Sequence, residues 1–182
     1  MEYLSTLTTT TWLVLGGILL FVILVILFLR WSGKRSPKAV AQATQNGITI
    51  TVHYCQPQKN GRTIFGQVVK YGKVWRTGAN AATTIQLAQD VRVGGNRLAK
   101  GRYSLYTIPT ATDWTIIINR RTGQWGVSYR EAADVLRLTV PTRTYTPPAE
   151  QFFISFEPQP GGLNMLLTWD DTQVVVPFQK AA

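Results

Sequence analysis

One short stretch, residues 71–85, concentrates side chains that could recognise a ligand. Arg76 could pair with an anion while Trp75 stacks on an apolar part of the same molecule. The residues equally fit a structural role, in which Arg76 binds backbone carbonyls, Trp75 lies in the core and Asn80 caps a turn. Both interpretations stay open. The candidate residues of the stretch are Tyr71, Lys73, Trp75, Arg76 and Asn80.

Two further places invite the same question. Trp125 lies in a second aromatic loop and is either a ligand contact or part of the loop's own core. His53 and Cys55 share one face of a predicted strand and could supply two metal ligands. The chain contains one His and one Cys, whereas a structural zinc site takes about four such ligands. We therefore expect no metal site, no cofactor and no internal disulfide.

The sequence lacks the usual enzyme motifs. A nucleophilic triad would depend on His53, and there is no Gly-x-Ser-x-Gly, His-Glu-x-x-His or phosphate-binding loop motif. The acidic residues stand mostly at predicted strand ends and turns, so a paired-carboxylate hydrolase would need distant residues to converge. We therefore expect a non-enzymatic protein, with a hydrolase as a less favoured alternative.

The net charge of +10 is an argument about partners. It suits an anionic membrane surface, an acidic protein or nucleic acid. The basic residues are scattered, without an RNA-binding aromatic motif or a recognition-helix pattern. A basic surface near anionic lipid is therefore favoured, and no nucleic-acid partner is expected.

The elements that would position these residues begin with an apolar N-terminal segment. Residues 12–29 are apolar without a break, long enough for a bilayer core of ~30 Å. No basic residue precedes them, which favours an uncleaved anchor over a signal peptide. We therefore predict an N-terminal tail and transmembrane helix over residues 1–31. The residues expected at the membrane interface are Trp12, Arg30, Trp31, Lys34 and Arg35.

Residues 32–46 are small, polar and basic and predict a linker. From residue 47 to 182, short segments alternate apolar and polar residues, as in Ile48, Ile50 and Val52. Turn signals such as Gly94-Gly95 separate the segments. About nine strands at this spacing predict an all-β antiparallel sandwich or jelly-roll-like domain, preceded by the transmembrane helix.

Several segments together carry a family resemblance. They are GRTIFG (61–66), YGKVWRTGAN (71–80), ATTI (82–85), KGRYSLYTIP (100–109), DWTIIIN (113–119) and QWG (124–126). From about Ser36 to Phe178 the chain resembles the bacterial family known as domain of unknown function 2911. That family is best known from Bacteroidetes-type bacteria and usually follows an export signal. The resemblance implies a domain outside the cytoplasm and supplies no activity.

The sequence departs from the resembled pattern at two places. Relatives tend to carry an acidic residue where Ala81 stands, and a Ser-Arg pair where Cys55-Gln56 stands. If those groups form a polar site in relatives, the resemblance implies an altered site in this chain.

Two arguments about the compartment disagree. Basic residues follow the apolar segment, so the positive-inside rule places the domain in the cytoplasm. The resemblance places it on the periplasmic side, and it covers the whole domain. We therefore expect a single-pass protein of the plasma (inner) membrane with a periplasmic domain.

These observations predict a membrane-anchored, non-enzymatic β-sandwich module that serves as an accessory or assembly subunit of a membrane protein complex. The expected partners are membrane lipid and other membrane protein subunits. The alternative is a small-molecule-binding domain that uses the loop from Trp75 to Asn80.

Overall fold

The structure, a computed structural model, describes residues 9–34, 36–123 and 128–181, and the side chains of its helix from residue 11 to residue 27. The chain divides into two compact units, Met1–Arg35 and Ser36–Ala182. The elements are α1 (Thr9–Lys34), β1 (Lys38–Gln45), β2 (Ile48–Cys55), β3 (Thr83–Leu87), β4 (Val91–Val93), β5 (Asn96–Leu98), β6 (Gly101–Pro109), β7 (Asp113–Asn119), the 3₁₀ turn η1 (Glu131–Ala133), β8 (Asp134–Gln159) and β9 (Gly162–Lys180).

The first unit corrects the prediction of a membrane-spanning helix. The described side chains of α1 are mostly apolar and exposed, Trp12 among them. In the described part of the chain, no helix is long and apolar enough to cross a membrane, so that prediction is wrong. The other residues expected at the membrane interface have side chains that lie outside the described part of the structure: Arg30, Trp31, Lys34 and Arg35.

The second unit is all-β, but the predicted pair of stacked sheets is wrong. Its nine described strands form one antiparallel sheet in the order β1-β2-β3-β6-β7-β8-β9-β4-β5. The strand number agrees with the prediction. What the sequence reading missed is the continuity of hydrogen bonding between the two halves of the sheet.

The long strand β8 provides that continuity. Its first part pairs with β7, as far as Pro141 opposite Asp113. From Thr142 onward it pairs with β9 instead, so one strand belongs to both halves. Pro147-Pro148 and Asp170-Asp171 are residue pairs that in sequence are typical of a loop and a turn. Both strands continue through these places, and the register shifts once on each side of the pair Ala149 and Asp170.

The larger of the two hydrophobic clusters among the described residues draws on both halves of the sheet, which gives a sandwich-like arrangement. Ile50 and Ile85 contribute from the first half, and Val93 and Phe178 from the second. All four are completely buried. The period-two pattern of the sequence correctly identified the core face of β2, because between Ile48 and Tyr54 only every second residue is buried.

Strand β1 occupies most of the segment predicted to be a linker. It pairs with β2 along its whole length, from Lys38 opposite Cys55 to Gln45 opposite Ile48. Three alanines of β1 pack against the core. Alanines among short polar residues give little hydrophobic alternation, so the sequence carries only a weak signal for this strand.

Candidate functional site

The stretch around Trp75 leaves the sheet and returns to it. Trp75 forms an isolated bridge with Thr107 of β6: each backbone N–H donates to the other residue's carbonyl, at 2.7 and 2.9 Å. Thr83, the first residue of β3, lies opposite Leu105, which also belongs to β6. Residues 76–82 are therefore an excursion between two points that lie close together along β6.

Trp75 fixes one end of this excursion in an aromatic cluster. Its ring stacks on Trp169 at a centroid distance of 5.9 Å and meets Trp114 and Phe152 edge-on at 5.9 and 5.2 Å. Its indole N–H donates to the carbonyl of Gly78 at 2.9 Å. Protein neighbours thus occupy much of the ring, which favours the structural interpretation of this residue.

Three residues with positive φ turn the excursion. Thr77, Gly78 and Asn80 have φ of 53°, 150° and 60°. The hydroxyl of Thr83 donates to the carbonyl of Thr77 at 2.7 Å. At Gly78 a Cβ would lie 2.9 Å from the carbonyl oxygen of Cys55, so only glycine lets the loop approach β2 this closely.

The other predicted residues of the stretch lie at its surface. Arg76 is half-buried and donates from Nη1 to the carbonyl of Asn80 at 3.0 Å. Asn80, Tyr71 and Lys73 are exposed. Trp125 lies outside the described residues.

A groove of about 490 Å³ runs beside this stretch, and we call it the loop groove. It brings three of the predicted residues together, Lys73, Trp75 and Arg76, whereas Tyr71 and Asn80 do not line it. Its full lining is Val68, Val69, Lys70, Lys73, Val74, Trp75, Arg76 and Tyr129.

A larger cavity of about 640 Å³ crosses the face of the sheet opposite the core, and we call it the sheet pocket. Its volume lies within the range of roughly 300–1,000 Å³ typical of small-molecule sites. Its lining includes the polar residues Lys38, His53, Cys55, Thr84, Gln86 and Arg102, and the small or apolar residues Val40, Ala81, Ala82 and Gly123.

The register of four neighbouring strands assembles the polar side of the sheet pocket. His53 of β2 lies opposite Thr84 of β3, and Gln86 of β3 lies opposite Arg102 of β6. Directly opposed residues present their side chains on the same face of a sheet. Lys38, at the start of β1, adds a second cation from the neighbouring edge strand.

The sheet pocket is electropositive. Among the described residues no carboxylate lines it, and neither Lys38 nor Arg102 forms an ion pair there. Acidic side chains pair elsewhere, as Asp90 does with Arg97. A concave surface with uncompensated cations concentrates anions.

The residues that line the sheet pocket are poorly arranged for covalent catalysis or for binding a metal ion. His53 and Cys55 are two positions apart on one strand, about 7 Å by strand geometry. A nucleophile and its base need about 3 Å between their heavy atoms. Within the described residues, no group of three or more His, Cys, Asp or Glu could hold a metal ion. The arrangement is better suited to binding than to catalysis.

A hydrogen-bonded cluster lies on the same side of the sheet, near β8. The Tyr129 hydroxyl donates to Asp134 Oδ2 at 2.6 Å, and Arg137 donates to the same oxygen at 2.9 Å. Arg137 also donates to the Tyr129 oxygen at 2.7 Å. Burial, and then the hydrogen bond to Asp134, raise the pKa of Tyr129 to about 12. Tyr129 is therefore a neutral donor that ties its segment to β8.

Sequence reasoning missed Lys38, Thr84, Gln86 and Arg102 as site residues. They are ordinary strand residues, far apart in the chain, and only the strand register brings them together. One signal was available, since Cys55 and Ala81, where the sequence departs from the resembled pattern, both line the sheet pocket.

Comparison with known proteins agrees with the resemblance noted in the sequence. A family model described as "Protein of unknown function (DUF2911)" matches residues 36–178. No curated protein and no solved structure matches the chain.

Proposed function

We propose that this chain, which belongs to the protein family of unknown function DUF2911, is a non-enzymatic binding domain that takes a small organic anion in the sheet pocket. One observation carries the proposal. Lys38 and Arg102 line the same cavity of about 640 Å³, and no described carboxylate lines it with them.

The lining suggests the class of anion. A guanidinium presents two parallel N–H donors to a planar carboxylate, and Arg102 is available for this pairing. Thr84 and Gln86 offer neutral hydrogen-bonding groups, while Val40 and Ala82 offer apolar surface. A small carboxylate with a short apolar body matches this combination.

The loop from Trp75 to Asn80 leads directly into the wall of this pocket. Ala81 and Ala82, which follow the loop in the chain, line the pocket. Since Trp75 packs against the core, a ligand would have to displace protein contacts to stack on its faces. The loop is accordingly a weaker candidate for the ligand site than the sheet pocket. The predicted accessory role, partner subunits and compartment stay predictions.

Thermal unfolding of the full-length protein tests the proposal. Succinate, benzoate, citrate and inorganic phosphate are added singly, with sodium chloride at matched ionic strength as the reference. A ligand that binds only the folded state raises Tm as its concentration rises. We expect at least one carboxylate to raise Tm of the wild type, and Arg102→Gln to abolish the rise.

Arg92→Gln is the matched control. Arg92 is also an exposed strand arginine, on β4, and does not line the sheet pocket. It should leave the rise in Tm unchanged. Two results would reject the proposal: no carboxylate raises Tm beyond sodium chloride, or Arg102→Gln responds as the wild type does.

A further inference from the structure

The exposed apolar surface of the β domain is concentrated in one loop. Val68, Tyr71 and Val74 are 44%, 46% and 39% exposed. Among the described residues of this domain, only Val40 is a comparably exposed large apolar side chain elsewhere. Three such side chains stand within seven residues of one loop, and two of them, Val68 and Val74, line the loop groove.

Cations alternate with these apolar side chains. Lys70 and Lys73 are exposed, Arg76 is half-buried, and all three line the loop groove. No carboxylate lines this groove in the part of the chain that the structure describes. Neither lysine forms an ion pair with a described residue. The loop, residues 68–76, therefore presents mixed apolar and uncompensated cationic surface, and we call it the basic loop.

Backbone hydrogen bonds hold the basic loop in shape. The backbone N–H of Val69 donates to the carbonyl of Ile64 at 2.9 Å, and the N–H of Gly66 donates to the carbonyl of Val69 at 2.8 Å. Gly72 N–H donates to the carbonyl of Pro109, at the end of β6, at 2.9 Å. The apolar and cationic side chains are thus displayed on a formed surface, so little ordering would be needed on binding.

We propose that the basic loop docks on an anionic phospholipid surface. The three apolar side chains would enter the boundary between headgroups and acyl chains. Lys70, Lys73 and Arg76 would meet lipid phosphates at the loop groove. This site is separate from the sheet pocket, because the two cavities share no lining residue.

Lipid fits this surface better than an acidic protein segment does. An acidic segment would neutralise the cations but would leave exposed apolar side chains beside charged ones. An anionic bilayer surface satisfies both, since its charged layer lies directly over an apolar one. The proposal concerns the β domain alone and makes no use of α1.

The test uses the full-length protein with a readout local to the loop, because α1 is itself apolar. Cys55→Ala removes the one native cysteine, and Val74→Cys introduces a site for an environment-sensitive fluorophore. The labelled protein is mixed with phosphatidylcholine vesicles, either pure or containing about 30 mol % phosphatidylserine. We expect a blue shift of emission, and quenching by acyl-brominated lipid, only with the phosphatidylserine vesicles.

Charge reversal within the loop should remove this signal. Lys70→Glu with Lys73→Glu should reduce the blue shift at least fivefold. The control is Arg92→Glu with Lys100→Glu, an identical change of net charge at exposed positions outside the basic loop. It should retain the shift. Circular dichroism confirms that each variant is folded.

Three results would overturn the proposal. An equal shift on pure phosphatidylcholine would exclude recognition of anionic lipid. Retention of the shift in the loop variant would exclude Lys70 and Lys73 as its basis. No shift on either vesicle would leave the basic loop as a surface for an acidic protein partner instead.

Discussion

The loop at Gly78 lies directly against the carbonyl oxygen of Cys55, so close that a Cβ would stand 2.9 Å from that oxygen. One end of the loop is fixed by Trp75 in the aromatic cluster, and the other continues into the wall of the sheet pocket at Ala81. The least regular part of the chain therefore links the core to the candidate binding site.

Gly78→Ala should destabilise the protein more than Gly72→Ala. Gly78 and Gly72 have positive φ, 150° and 68°, so each alanine meets backbone strain of about 1–3 kcal/mol. A Cβ at Gly72 meets no atom within 4 Å, whereas one at Gly78 meets backbone oxygen. We expect a loss of roughly 2–4 kcal/mol for Gly78→Ala, measured by urea unfolding. Equal losses would show that the contact with Cys55 is not tight.

Trp75→Ala should lower the free energy of unfolding by about 3 kcal/mol. The substitution removes ring contacts with Trp114, Phe152 and Trp169 and leaves a cavity against the core. Val74→Ala, at the exposed neighbouring position, should change it by less than about 0.5 kcal/mol. Urea unfolding of both variants measures the difference. A Trp75→Ala protein as stable as the wild type would contradict a structural role for this ring.

Tyr129 should make the protein lose stability at high pH. Its pKa is about 12 in the folded protein, above the ordinary value of about 10. The unfolded chain releases this proton first, so the stabilisation is complete below pH of about 10 and is lost as pH rises toward 12. Urea unfolding between pH 8 and 12 should show this decline, and Tyr129→Phe should flatten it. Parallel curves for the two proteins would show that Tyr129 does not contribute.

The period-two pattern was enough to place β2 and its core face. Gly94-Gly95 likewise identified the hairpin between β4 and β5, since both glycines have positive φ there. Prolines and paired aspartates were poorer guides. They are typical of strand ends, but the long strands β8 and β9 continue through them, and the register of pairing shifts there, as beside Ala149.

The candidate site was harder to predict than the fold. The sequence drew attention to Trp75 and Arg76 because rare residue types stand out in an irregular stretch. Lys38 and Arg102 come from opposite sides of that stretch in the chain. That both residues line one pocket depends on the order and register of β1, β2, β3 and β6, which are long-range properties that local sequence patterns do not contain.

His53 lines the sheet pocket and is the one histidine of the chain. Its imidazole therefore gives a single set of signals in a nuclear magnetic resonance spectrum, which can report binding in the pocket. The carboxylate that raises Tm most is titrated into the full-length protein. We expect the His53 signals to move in a saturable way, with a Kd that matches the thermal stabilisation. Arg102→Gln should abolish this movement, and Arg92→Gln should keep it. His53 signals that stay fixed while Tm rises would place the bound anion elsewhere and contradict the proposed binding site.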